Sequence, residues 1–276
     1  MPNFLLIDKP SGITSHDVVD YLRRVTGVRR IGHAGTLDPF ATGLLILGIG
    51  REATRELWKF FPPPPKERMR PLAQKADLSQ RLTSLWLARK PRAEKSDKEY
   101  IATLHLGAVS DTYDRTGKIT EVRPPEVSPR SHIGVKPPQV TDLQRILKKF
   151  IGETEQIPPM FSAKKINGKK MYELARRGIE VERKPVKIKI YDLEILEYTY
   201  PFLKIRVHSS SGTYIRSLAH DIGQRLKAES GQLKAGYGAY LEELRRTKIG
   251  KYNVKDAHKL EELTPETWID KVIKMG

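Results

Sequence analysis

Apolar residues come in short runs broken by glycine and proline, and their period changes along the chain. Residues 3–8 (NFLLID) form one such run, ending at Pro10 and Gly12, and predict a short buried strand. Thr14 to Asp17 then carries the [ST]-x-x-[DE] pattern of a capping box, in which each side chain satisfies a free backbone N–H of the other. Val18, Leu22 and Val25 recur at helical spacing until Gly27 supplies a stop. Residues 31–43, with three glycines and one proline, predict a loop. LLILGIG (44–50) is apolar without alternation, as a strand covered on both faces would be. A short helix over about 52–60 ends at the four prolines 62–65.

Further on, YIATLHLG (100–107) alternates as a strand, SDTYDRTGK (110–118) has turn chemistry and KITEVR predicts a following strand. Residues 124–138 read as a proline-rich loop. A helix is expected over 140–150, with Leu143, Ile146, Leu147 and Phe150 on its apolar side. Another carries Met171, Leu174 and Ala175 and stops at Gly178. PVKIKIYDLEILEY and FLKIRVHSS are two strong strands joined by a turn at Tyr200-Pro201. A helix over 213–227 aligns Leu218, Ile222 and Leu226, with Ile215 beside them. The remainder alternates weakly and ends in a short helix holding Trp268 and Ile269. Long antiparallel strands interrupted by single helices predict an α+β domain with one mixed, mostly antiparallel sheet, flanked by helices and loops. No internal repeat is visible.

Composition adds a partner class. The 276 residues suffice for one large domain or two small ones. With 38% hydrophobic and 30% charged residues the chain can bury a core. Fifty Lys and Arg oppose 33 Asp and Glu, a net charge of +17, which points to a polyanion and first to nucleic acid. Cysteine is absent, which removes thiolate chemistry and Cys-based zinc sites and fits a reducing compartment. The N-terminus lacks the basic start and apolar core of a signal peptide, and no run approaches a membrane span. A soluble, cytoplasmic protein is expected. One stretch differs in kind: about 62–97 opens with four prolines and continues as KERMR, QKADLSQR and ARKPRAEK. It reads as a basic insertion, partly helical over 77–89, and either a solvated excursion or an RNA-binding element.

Several motifs compete to carry chemistry. Gly48-Ile49-Gly50-Arg51-Glu52-Ala53 matches G-x-G-x-x-A between a strand and a helix, but no second buried strand ending in an acid follows, so close packing of strand on helix explains it better. His16, Asp17 and Asp20 carry metal-ligand chemistry at close spacing; Asp17 is better used as the capping acid and Asp20 pairs along an exposed helix, so no metal is expected. GHAGTLDPFATG (32–43) holds one carboxylate, Asp38, with His33 five residues earlier. By composition alone, Asp38 before Pro39 reads first as a turn residue. Lys98-Glu99-Tyr100 and Ser211-Gly212-Thr213-Tyr214-Ile215-Arg216 then add aromatics able to stack on a base and an Arg able to hold a carboxylate in a fork.

At this point the chain resembles the TruB family, the bacterial tRNA pseudouridine-55 synthases. The matching runs are DKPSGITSHDVV (8–19), GHAGTLDPFATGLLILGIGREATR (32–55), KEYIATLHLG (98–107), SDTYDRTG (110–117), QIPPMFSAKKINGKKMYELARRGIEV (156–181), SSGTYIRSLAHDIG (210–223) and YLEELRRTKIG (240–250). The resemblance implies the pseudouridine synthase fold over residues 1–250, tRNA through its T-arm as partner, no cofactor, and action as a monomer. It implies that Asp38 is the catalytic aspartate, that His33 helps displace the flipped base and that Tyr100 stacks on it. It further implies that Tyr214 and Arg216 contact the base and the carboxylate, and that Leu244 is an apolar neighbour of the pocket. Lys9 and Pro10 fall on a motif that supports the loop. Two features depart from the family pattern: the long basic segment between Thr54 and Tyr100, and a tail (251–276) too short for a complete PUA-type RNA-binding domain. Two rival readings remain, a non-catalytic tRNA-binding protein on the same scaffold and a guide-RNA-dependent synthase.

Overall fold

In the computed structural model the N-terminal apolar run is strand β1 (Asn3–Lys9), and the capping box opens helix α1 (Ser15–Thr26) as its spacing predicts. The Thr14 amide donates to Asp17 Oδ2 at 2.7 Å and the Asp17 amide to Thr14 Oγ1 at 3.1 Å. Gly27 closes the helix in the left-handed conformation, and Asp20 pairs with Arg23 at 2.7 Å. The structure describes residues 3–60, 96–122, 137–162, 165–166, 169–175, 178–179, 181–229 and 238–274. The expected helix at 77–89 and nearly all of the proline-rich loop at 124–138 lie outside them.

The remaining elements follow in order: β2 (Ile31–Ala34), β3 (Thr42–Ile49), α2 (Gly50–Glu56), then β4 (Lys98–Leu106), β5 (Ala108–Ser110) and β6 (Ile119–Glu121). After these come α3 (Val140–Lys148), β7 (Gly152–Gln156), β8 (Lys165–Ile166), β9 (Lys169–Lys170), α4 (Met171–Ala175), β10 (Val186–Thr199) and β11 (Phe202–Ser209). The chain closes with α5 (Ile215–Glu229), β12 (Ala239–Ile249), β13 (Tyr252–Asn253) and β14 (Ile273–Lys274). One ten-stranded sheet runs β14-β1-β3-β12-β4-β11-β10-β7, with β13 on β12 and β2 on β3. Among the described strands every pairing in it is antiparallel except β3 with β12. The α+β class and the mixed, mostly antiparallel sheet stand as expected.

The sheet divides the core. β3 is buried on both faces: Leu45, Leu47 and Ile49 pack with α1, whereas Leu44 and Ile46 pack with Ala53 and Leu57. The larger cluster lies under α3 and α5, on Ala102, Leu104 and Leu106 of β4 and their neighbours in β11 and β12. The G-x-G-x-x-A motif has the packing role assigned to it, since a Cβ on Gly48 would stand 3.0 Å from the Ala53 carbonyl carbon.

Four expectations need correction. Ile31–Ala34 is not loop but a strand paired with β3, too short and too glycine-rich to show a period. The expected helix over 52–60 begins at Gly50 and tightens to a 3₁₀ turn over Leu57–Phe60. Most consequentially, the weakly alternating stretch after α5 is β12, eleven residues at the centre of the sheet. Register shifts at Leu241/Glu243 and Arg246/Lys248 break its alternation, and a buried Arg246 occupies one of its inward positions. The terminal helix is a 3₁₀ turn (Trp268–Lys271), after which β14 pairs with β1. Among the described residues no helix is long and apolar enough to cross a membrane.

The parallel junction depends on Gly43, which has φ +102° and registers with Arg246. A Cβ there would collide with the Arg246 carbonyl oxygen and stand 2.8 Å from its amide nitrogen. Gly50 has φ +86° with nothing within 4 Å of its Cβ position. Gly43→Ala is therefore expected to destabilise by roughly 2–5 kcal/mol, from backbone strain plus overpacking. Gly50→Ala carries strain alone, about 1–2 kcal/mol. Urea denaturation of both variants checks the order; equal losses would contradict it.

Candidate active site

Residues 35–41 link β2 to β3 and carry Asp38 across the top of the sheet. The connection between β1 and α1 grips this loop. Lys9, with no exposed surface, donates from Nζ to the carbonyls of Pro10 (2.8 Å), Ile13 (2.7 Å) and Pro39 (3.2 Å). Burial pushes its ammonium down to about 8. Ser11 Oγ donates to the Phe40 carbonyl at 2.9 Å, and the Gly12 amide to that of Pro39 at 2.9 Å. Ser15 Oγ both donates to the Leu37 carbonyl and accepts from the Leu37 amide. The turn read from Asp38-Pro39 is real, for the Ala41 amide donates to the Asp38 carbonyl at 3.1 Å. The Asp38 side chain, however, is engaged elsewhere.

Arg216, in the first turn of α5 and 5% exposed, holds that side chain in a fork. Nε lies 3.0 Å from Asp38 Oδ2, and Nη2 donates to Oδ1 at 3.3 Å. Nη2 also donates to the Phe161 carbonyl at 2.7 Å and Nη1 to the Thr112 carbonyl at 3.2 Å. A second carboxylate completes the cage: Asp114 Oδ2 lies 3.4 Å from Nη1, with Asp114 3% exposed. Asp114 Oδ1 accepts from Thr112 Oγ1, the Thr116 amide and Thr116 Oγ1 at 2.9, 2.9 and 2.5 Å. The Asp38 side chain keeps 35% of its surface accessible while that of Arg216 keeps 6%, so the guanidinium is shielded and the carboxylate is partly open. Burial raises the Asp38 carboxyl above its ordinary range; Arg216 and Lys9 oppose this, and Asp114 reinforces it.

Tyr100 is 7% exposed and belongs to the same core cluster as Leu37, Phe40 and Leu244. Its hydroxyl accepts from Arg246, and burial raises its pKa. Arg246, 1% exposed on β12, donates from Nε to the Leu44 carbonyl at 2.8 Å and from Nη2 to the Gly35 carbonyl at 3.0 Å. Gly35, at φ +81°, leaves space that a Cβ would take from Lys98 and Arg246. Tyr214 is half-buried; its amide donates to Gln156 Oε1 at 2.8 Å, and its carbonyl accepts from Gln156 Nε2 at 3.0 Å. Leu244 is buried in the same core cluster as Tyr100. His33, on β2, stands apart from the fork: burial, Arg246 and His16 lower its pKa, and its Nδ1 has no partner among the described residues. Asp38 and Arg216 thus meet directly, Tyr100 and Tyr214 lie within electrostatic reach of Asp38, Leu244 packs in the core cluster of Tyr100, and His33 lies toward Arg246. Asp114, Gln156, Arg246 and Lys98 belong to the site as well, although sequence reasoning assigned them no role there.

The Asp114 turn carries a strained residue. Tyr113 has φ +66°, the sole non-glycine with positive φ among the described residues. Its carbonyl accepts from the Leu241 amide at 2.9 Å, and its ring stacks on His220 at 4.1 Å between centroids and 19° between planes. His220 follows Arg216 by one helical turn. One face of α5 therefore holds the turn twice, at the guanidinium and at the ring.

The large mixed, mostly antiparallel sheet is a pseudouridine synthase fold. The fold matches a chain in the crystal structure of a Cbf5-Nop10-Gar1 complex with TM-score 0.59 and 26% identity, over 95% of this chain and 53% of that one. The chain spans about half the length of that solved relative. A family model described as "TruB family pseudouridylate synthase (N terminal domain)" matches residues 23–66 and 90–215, and the gap falls inside the basic segment after Phe61. Proteins named "tRNA pseudouridine synthase B" from Protochlamydia amoebophila and Chlamydia abortus are 42% and 41% identical, each over 91% of this chain and over 76% and 83% of their own lengths. The chain belongs to the TruB family.

Two outcomes are expected. Arg216→Lys keeps the charge but cannot span Asp38, Asp114 and two carbonyls, so single-turnover rates on tRNA should fall about 100-fold or more. A rate near wild type would exclude the fork as an active part. His220→Ala removes a stack worth about 1 kcal/mol, comparable to the strain it offsets at Tyr113, and should slow turnover up to about tenfold. His220→Phe should restore the rate, and failure to do so would dissociate the stack from the Asp114 turn.

Proposed function

We propose that the protein converts a uridine of tRNA to pseudouridine, at position 55 in the T-loop, with Asp38 as its catalytic carboxylate. The observation that carries this reading is a partly accessible carboxylate held in a fork by Arg216, in a chain of this family. The reaction breaks the N1–C1′ bond, rotates the uracil and joins C5 to C1′. Substrate and product are isomers, so neither an oxidant nor a reductant enters the balance. An ionised Asp38 can attack the uracil ring or the ribose, or remove a ribose proton. The target base is stacked in the RNA loop and has to be flipped out first. Stacking on Tyr100 offsets on the order of 1–3 kcal/mol of that step. Tyr214 and Leu244 border the base, and His33 helps to displace it. Lys9, Arg216 and Arg246 keep a negative carboxylate compatible with burial, which otherwise favours its neutral form. The basic segment at 62–97 adds charge for RNA contacts beyond the pocket. In this reading the protein works alone, as a monomer in the cytoplasm.

Purified protein incubated with unmodified tRNA, followed by mapping of pseudouridine, tests the reading. Product at the T-loop uridine is expected from wild type. Asp38→Asn should make none while tRNA affinity stays within about threefold, since the change adds no positive charge and removes no phosphate contact. Full turnover in that variant would refute the assignment. Absence of product without an added guide RNA and partner proteins would favour the guide-dependent reading, and absence under all conditions the binding-only one.

A further inference from the structure

Most buried charges of the site have partners. Lys9 has three carbonyls, Arg216 two carboxylates and two carbonyls, and Arg246 two carbonyls and a phenol. Lys98 differs. The residue is 9% exposed, yet its ammonium has no hydrogen-bond or ion-pair partner among the described residues. It occupies the same face of β4 as Tyr100, two positions earlier. Nζ lies 3.2 Å, and Arg246 Nη1 3.5 Å, from the point where a Cβ on Gly35 would stand, three residues from Asp38 along the chain.

This arrangement disfavours folding. A largely buried ammonium beside a guanidinium, with no counter-ion among the described residues, meets both a desolvation penalty and repulsion. Those two effects push Lys98 down to about 7. Methionine would fill the same volume without either penalty. Two cations side by side instead match a tetrahedral oxyanion, which accepts from both. The substrate of the reading above brings one such group with every nucleotide drawn into the cleft.

We propose that Lys98, together with Arg246, forms an anion subsite beside Tyr100 that takes a backbone phosphate of the RNA next to the flipped nucleotide. The inference rests on RNA being the substrate. The phosphate supplies the missing counter-charge, and Lys98 acts in binding and registration of the strand rather than in bond making.

Lys98→Met separates this role from a structural one, because stability and binding should move in opposite directions. Its Tm should equal or exceed that of wild type. Its Kd for a T-arm RNA should rise about tenfold. The slope of log Kd against log salt should become shallower by about one. Unchanged Kd and slope would overturn the proposal. So would a large loss of thermal stability in both Lys98→Met and Lys98→Gln, which would make Lys98 a structural cation. Inorganic phosphate is the control: if it stabilises wild type but not Lys98→Met, while both bind RNA alike, the site takes free anions and the RNA assignment falls. Pseudouridine formation by wild type is read on the same tRNA, so failure of the enzymatic reading shows there independently of Lys98.

Discussion

Arg216 is the contact on which the rest of the site depends. Its guanidinium joins the loop bearing Asp38, the turn bearing Asp114 and the carbonyl of Phe161, segments that lie far apart in the chain. Burying such a group entails a desolvation penalty of several kcal/mol, recovered only where every N–H finds an acceptor in good geometry. Here two carboxylates and two carbonyls meet that condition. The cage fixes the carboxylate in position and direction before any substrate arrives, which is the form of preorganisation that active sites need.

The loop around Asp38 is held by buried cations more than by apolar packing. Lys9 binds three carbonyls, and Arg246 ties Gly35 to Leu44 and Tyr100. A carbonyl is a weaker partner for a cation than a carboxylate, but it leaves the positive charge unneutralised. The surroundings of Asp38 therefore combine Lys9, Lys98, Arg216 and Arg246 with Asp114, and their balance with Asp38 is positive. For a polyanionic substrate that balance favours entry, and for the folded protein it is a burden carried by the surrounding hydrogen bonds.

Much of this was legible in the residues. The capping box of α1, the doubly buried β3 and the amphipathic α3 and α5 follow from local pattern, because each is set by neighbours within one or two turns or a few strand positions. The convergence of Asp38 with Tyr100 and Arg216 followed from the family motifs and not from spacing. β12 was not legible, since its bulges shift the apolar period and its inward Arg246 reads as a surface charge. Asp114 was hidden for another reason. In Ser110-Asp111-Thr112-Tyr113-Asp114 an aspartate is ordinary turn chemistry, and it does serve the turn through Thr112 and Thr116. Its second oxygen acts across the fold, which no local pattern records.

The same electrostatics constrain how the pocket can meet RNA. Asp38 already sits above the ordinary carboxylate range because burial outweighs Arg216 and Lys9, and Asp114 adds repulsion. Each phosphate brought nearby would raise it further and favour the protonated, non-nucleophilic form. A neutral pocket would thus lose its reactive carboxylate at the moment of binding. The unneutralised cations around Gly35 and Pro39 offset that push, because they meet the incoming phosphates while Arg216 stays with Asp38. The positive surplus in the interior and the reactivity of a single carboxylate are in this sense one design, and the stability it forgoes is what keeps Asp38 ionised beside a polyanion.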